Sequence, residues 1–161
     1  MEAENILSAK ELLTQENRQY NETNLLYHGI AAQFGLSDTV FWVLYALYSD
    51  GTPQTQAQMS AGFCLPKQTL NSAVRGMVTQ GLVMLTPAPG CKHGKHLSLT
   101  ESGRALAEKT VAQVIRAEET AMQNMGLERA CQYIAMGREF TQLLRKEFTQ
   151  LKESQNQTEN V

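Results

Sequence analysis

The feature that most constrains this 161-residue chain is a helical repeat between Pro66 and Val78, followed at once by a hairpin pattern. Leu70, Ala73, Val74, Met77 and Val78 recur at the i, i+3, i+4, i+7 spacing that gathers apolar side chains on one helix face. Pro66 suits the first turn of such a helix, where its missing N–H is no loss. The opposite face carries Gln68, Asn71, Ser72, Arg75 and Thr79, without the Glu and Lys usual on a solvated helix. Upstream, Thr55 is a good N-cap for a short helix over 56–61, and residues 62–65 form the turn between the two helices. Downstream, 82–86 and 95–99 read as strands. Between them Pro87-Ala88-Pro89-Gly90-Cys91-Lys92-His93-Gly94 reads as a loop.

Two helices across a tight turn, then a hairpin, make a winged helix-turn-helix. The distribution of charge gives that arrangement a direction. The whole chain has a net charge of −2, but residues 51–100 contain Lys67, Arg75, Lys92 and Lys95 and no Asp or Glu. That segment is therefore +4 and the remainder −6. One acid-free segment in an acidic chain is the footprint expected of contact with a polyanion.

Around this centre the chain reads as helices. Residues 5–34 read as one helical region with two apolar stripes, in which the wholly polar run between Thr14 and Tyr20 leaves room for a break. Gly35 ends that region and Ser37 caps a helix over 38–49. That helix is apolar nearly all round (Val40, Phe41, Trp42, Val43, Leu44, Tyr45, Leu47, Tyr48) and reads as the centre of the core. Thr100 caps a long helix over 101–125, Gly126 interrupts it, and a last helix covers 127–151.

Length and composition fit one domain with a real core: 42% hydrophobic and 19% charged residues are ordinary for a globular chain. No apolar run approaches the roughly 20 residues of a membrane span, and the acidic start resembles no secretion signal. Cys64, Cys91 and Cys131 are odd in number and lack framework spacing, which points to a reducing, cytoplasmic setting. No cofactor motif, nucleophile with a positioned base, or Gly-rich phosphate loop occurs. The expectation is no enzyme and no membrane partner.

The ordered series of motifs resembles the MarR family of bacterial transcription regulators over roughly residues 20–150. It is carried by Thr55-Gln56, by Leu65-Pro66-Lys67-Gln68-Thr69-Leu70-Asn71, by Gly81-Leu82-Val83, and above all by Leu97-Ser98-Leu99-Thr100-Glu101-Ser102-Gly103-Arg104. The resemblance implies a mainly α fold with a small β-hairpin wing. A winged helix-turn-helix DNA-binding region would occupy 35–100, and 1–34 with 101–161 would form a helical dimerisation region. It implies a homodimer on double-stranded DNA, with each probe helix in a major groove. It further implies a repressor released by a small aromatic ligand or by cysteine oxidation. Three departures stand out. The wing tip has Cys91, Lys92 and His93 where the family usually carries Asp and Arg, Arg75 and Gly76 stand where the family often has an acidic residue followed by Arg, and Cys64 replaces the turn glycine.

Gln68, Asn71, Ser72 and Arg75 are the candidate base readers, since Gln and Asn pair bidentately with adenine and Arg with guanine. Thr55, Lys67, Thr69, Lys92, His93 and Lys95 are candidates for phosphate and wing contacts, which position without specifying. Tyr27, Trp42 and Tyr45 are candidate ligand-pocket residues, although an aromatic stripe is more often core. Cys91, beside Lys92, His93 and Lys95, is the candidate redox residue, while Cys64 and Cys131 are expected to pack as small hydrophobes. Cys91, His93 and His96 are metal-donor types, but no fourth ligand is evident and no metal site is assigned. The alternative function is a winged-helix protein-interaction adaptor with no operator.

Overall fold

A computed structural model describes residues 7–87 and 95–158. In chain order the elements are α1 (Ala9–Gln33), α2 (Asp38–Ser49), β1 (Gln54–Thr55), α3 (Gln56–Gly62), α4 (Lys67–Thr79), β2 (Val83–Pro87), β3 (Lys95–Leu99), α5 (Glu101–Lys109), α6 (Val111–Met125) and α7 (Leu127–Thr158). The fold is mostly helical with one small antiparallel sheet, as the sequence pattern predicts. The chain divides into two compact units, Met1–Val114 and Ile115–Val161.

The first unit holds the core. α2 supplies Phe41, Val43, Leu44, Ala46 and Leu47, all buried, which is why that helix reads as apolar nearly all round. Ala31 meets it from α1, Met59 from α3, Leu70, Val74 and Met77 from α4, Val83 and Leu97 from the sheet, and Ala107 and Val111 from α5 and α6. Burying a side chain of this size contributes about 1.5–3 kcal/mol, so this face of α4 is held firmly. Val78, expected inside, sits at the margin of the face.

β3 lies at the centre of the sheet, between β1 and β2. Gln54 and Thr55 pair with Leu97 and His96, and Val83 through Pro87 pair with Leu99 through Lys95. β1 goes beyond the sequence reading. Two residues are too short for the alternation that reveals a strand, yet they tie the start of α3 to the wing.

Three boundaries differ from the pattern. α1 starts at Ala9 because Ser8 and Glu11 form a reciprocal capping box, and it runs unbroken through the polar stretch after Thr14. Gln, Glu and Arg are good helix formers and keep that stretch helical without apolar partners. The span 101–125 is two helices, split where Thr110 leaves helical geometry at φ −126°, ψ −91°. Thr110 is buried, and its hydroxyl donates to the Leu106 carbonyl at 2.8 Å. α7 continues past Leu151 to Thr158.

In the second unit α7 keeps large apolar side chains exposed, among them Leu127, Ile134, Phe140, Phe148 and Leu151. α1, in the first, does the same with Leu12, Leu13, Leu25 and Leu26. Among the described residues no single helix is long and apolar enough to cross a membrane.

Candidate nucleic-acid interface

The geometry of α4 follows from its sequence. Leu70, Val74 and Met77 are each 1% exposed, so rotation about the helix axis is fixed. Gln68, Asn71, Ser72 and Arg75 then fall outside, and all four are exposed. Their i, i+3, i+4, i+7 spacing covers about 10 Å of helix, close to the rise of three base pairs. Lys67 and Thr69, also exposed, stand at the first turn.

Pro66 is the N-cap of α4 and offers no side-chain hydrogen bond. The turn before it is set by two features. The Ser60 hydroxyl donates to the Leu65 carbonyl at 2.7 Å. Cys64 takes φ +51°, the left-handed region that favours glycine. Cys64 holds this glycine-like conformation at a cost. Cys64 and Cys131 are both exposed, which corrects the expectation that they pack as hydrophobes. For Cys64 the reason is its place at the tip of that turn.

Thr55 is half-buried, and its hydroxyl is engaged in a capping box. It accepts from the Gln58 N–H at 3.2 Å and lies 2.9 Å from Gln58 Oε1, to which it donates. Lys95 is exposed at the start of β3, opposite Pro87. Cys91, Lys92 and His93, assigned from sequence to the wing and to redox chemistry, lie outside the described residues.

Tyr27, Trp42 and Tyr45 are half-buried and come together in one aromatic cluster with Phe41 and Phe63. Ring centroids of Tyr27 and Trp42 are 5.0 Å apart, and those of Trp42 and Tyr45 are 5.4 Å apart. Such tilted and edge-on contacts are ordinary for packed rings.

One pairing escaped the sequence reading. His28 of α1 lies with Nδ1 2.9 Å and 3.0 Å from the two carboxylate oxygens of Asp38, the first residue of α2. The turn after α1 brings together residues ten apart and so gives His28 an acidic partner. Both side chains are more than half exposed, and the pair joins α1 to α2 at the surface.

An exposed amide-and-guanidinium face on a firmly packed second helix, with a hairpin at its end, is the geometry of a winged helix-turn-helix. Residues 34–90 match the model of the MarR family. Over those residues the chain is similar to the MarR-family winged helix. Solved structures extend the MarR likeness of fold well beyond that segment. A MarR family regulator from Neisseria meningitidis is 24% identical and superposes with a TM-score of 0.76, covering 86% of this chain and 97% of that one. A MarR protein from Peptoclostridium difficile, 15% identical, gives a TM-score of 0.64 over 94% of this chain and 97% of its own. The Staphylococcus aureus MarR solved with salicylate and kanamycin, 17% identical, gives 0.63 over 86% and 93%. No curated protein sequence matches this one.

Proposed function

We propose that this chain is a sequence-specific, DNA-binding transcriptional regulator of the cytoplasm that works as a homodimer. The observation that carries the proposal is the two-sidedness of α4: a face locked into the core and an opposite face of Gln68, Asn71, Ser72 and Arg75 open to solvent. Around it lie fifty residues without one acidic side chain. A B-DNA major groove admits an α-helix, and these side-chain types suit its base edges. Lys67, Thr69 and Lys95 supply phosphate contacts beside them, with Lys92 and His93 from the wing loop.

The homodimer is supported by the apolar side chains left open on α1 and α7, since exposed patches of that kind mark association surfaces. The dimerisation region is proposed to comprise 1–34 and 101–161, around the DNA-binding region 35–100. Two probe helices would then meet half-sites about one helical turn apart.

The finer reading is a repressor released by a small aromatic ligand. The Staphylococcus aureus MarR structure contains salicylate, and NadR was solved with 4-hydroxyphenylacetate. In this chain Tyr27, Trp42 and Tyr45 are the proposed lining. Oxidation of Cys91 is a second proposed route to release.

The test is selection of bound fragments from a random duplex pool, followed by a salt titration of the winner. Recovery of a palindromic motif whose affinity falls steeply with salt supports the proposal. A chain that retains no duplex even at low salt contradicts it and leaves the adaptor reading.

A further inference from the structure

The outer face of the wing sheet holds a titratable side chain that the reading above does not use. His96 lies on the central strand, and its partners on both sides carry hydroxyls: Thr55 on β1 and Thr86 on β2. Leu97 is fully buried, so alternation along β3 directs His96 and Ser98 to the opposite face. His96 is half-buried there, one residue from exposed Lys95.

The surroundings suit an anion better than a cation. β1, β2 and α3 contain no charged residue, and β3 adds only Lys95. α2, which carries Asp38, Tyr45 and Tyr48, packs against β3, and its buried residues share the core with Leu97. Asp50, at its end, accepts from the side chain of Gln54, whose register partner is Leu97 and not His96. α5 contacts β3 and carries Glu101, Arg104, Glu108 and Lys109. α5 follows Leu99, at the far end of the strand from Lys95. The Thr55 hydroxyl is already committed to Gln58, so at this spot an approaching oxyanion would meet the imidazole and, beside it, the Thr86 hydroxyl.

We propose that His96 is a pH-dependent phosphate contact at the root of the wing, donating as imidazolium to a DNA backbone oxygen. This rests on the DNA-binding reading above. A charged donor to phosphate is stronger than a neutral one, so the complex favours the protonated form. Affinity should then rise as pH falls, because binding favours the charged donor.

The experiment compares the full chain, His96→Gln and His96→Arg on a random-sequence duplex at fixed ionic strength. Affinity is read at about pH 5.8 and about pH 8, either side of the histidine range. The wild-type chain should bind about fivefold tighter than His96→Gln at the lower pH and about equally at the higher. His96→Arg, permanently charged, should hold the tighter affinity at both. His28 and His93 are present in all three chains and cancel in the ratios. A wild-type to His96→Gln ratio that is the same at both pH values overturns the proposal while leaving DNA binding intact. So does a His96→Arg chain that loses affinity alongside His96→Gln. If no chain binds at either pH, the DNA-binding reading itself falls, and this proposal with it.

Discussion

Gly103 and Leu82 approach so closely that a Cβ on Gly103 would stand 1.9 Å from the Leu82 carbonyl oxygen. The same carbonyl accepts the Thr100 N–H at 3.1 Å. The Thr100 hydroxyl donates to the Gly81 carbonyl and accepts from the Gly103 N–H at 3.0 Å. The start of α5 is thereby fastened to the turn that joins α4 to the wing. Gly103→Ala must force these backbones apart, and an expected loss of about 1–3 kcal/mol or more follows from overpacking a tight site. Denaturant unfolding measures it. A variant as stable as the wild type would mean the contact is not close.

Cys64 leads to a change of opposite sign. At φ +51° a side chain with a Cβ is strained, whereas glycine is not. Cys64→Gly should stabilise the chain by about 0.5–1 kcal/mol, the relief of strain exceeding the extra entropy of the unfolded glycine. A β-branched residue at the same place should destabilise. Chemical denaturation of the pair decides, and a Cys64→Gly chain less stable than its Cys64→Val counterpart would refute the conformation assigned to this turn.

Arg75 is exposed in the middle of the outward face of α4. If it reads a guanine, Arg75→Ala should weaken binding to a selected site by about 1–3 kcal/mol and weaken binding to random duplex much less. Equal losses on both duplexes would place Arg75 among the phosphate contacts.

The core and the outward face of α4 were legible in the sequence for one reason. A 3.6-residue repeat that must bury one side assigns the other by default, and Leu70, Val74 and Met77 left no choice of rotation. The junction at Thr100 and Gly103 was legible as a motif, and its cause is the contact with Leu82. Other features depend on tertiary geometry and leave no local trace. β1 is two residues long and exists only because β3 lies beside it. The break at Thr110 involves no Gly or Pro. The positive φ of Cys64 is carried by a residue that does not advertise it, and His28 meets Asp38 only once the turn after α1 has formed. His96 drew notice in the sequence as a metal-donor type, because the hydroxyls beside it come from strands about ten and forty residues away.

The first turn of α1 carries a pH signature. The Glu11 carboxylate accepts from the Ser8 hydroxyl at 2.7 Å and from the Ser8 backbone N–H at 2.8 Å. These bonds, the hydroxyl's foremost, hold its pKa below the ordinary glutamate value. A lowered carboxyl pKa means that the cap's contribution is fully present above the unfolded value and is lost as pH falls through the folded one. An NMR titration of Glu11 should therefore give a midpoint below that of glutamate in an unfolded peptide, and Ser8→Ala should raise it. A Glu11 midpoint unmoved by Ser8→Ala would show that the box does not form in solution.

The most direct measurement compares affinity for a duplex selected from a random pool with affinity for a scrambled duplex of the same composition, at one salt concentration. The selected duplex should bind on the order of 10³-fold or more tightly, the gap typical of specific recognition. An Asn71→Ala, Arg75→Ala double variant should close most of that gap while still binding the scrambled duplex. Equal affinity of the wild-type chain for the two duplexes, or a gap that the double variant leaves untouched, would contradict base reading by the outward face of α4.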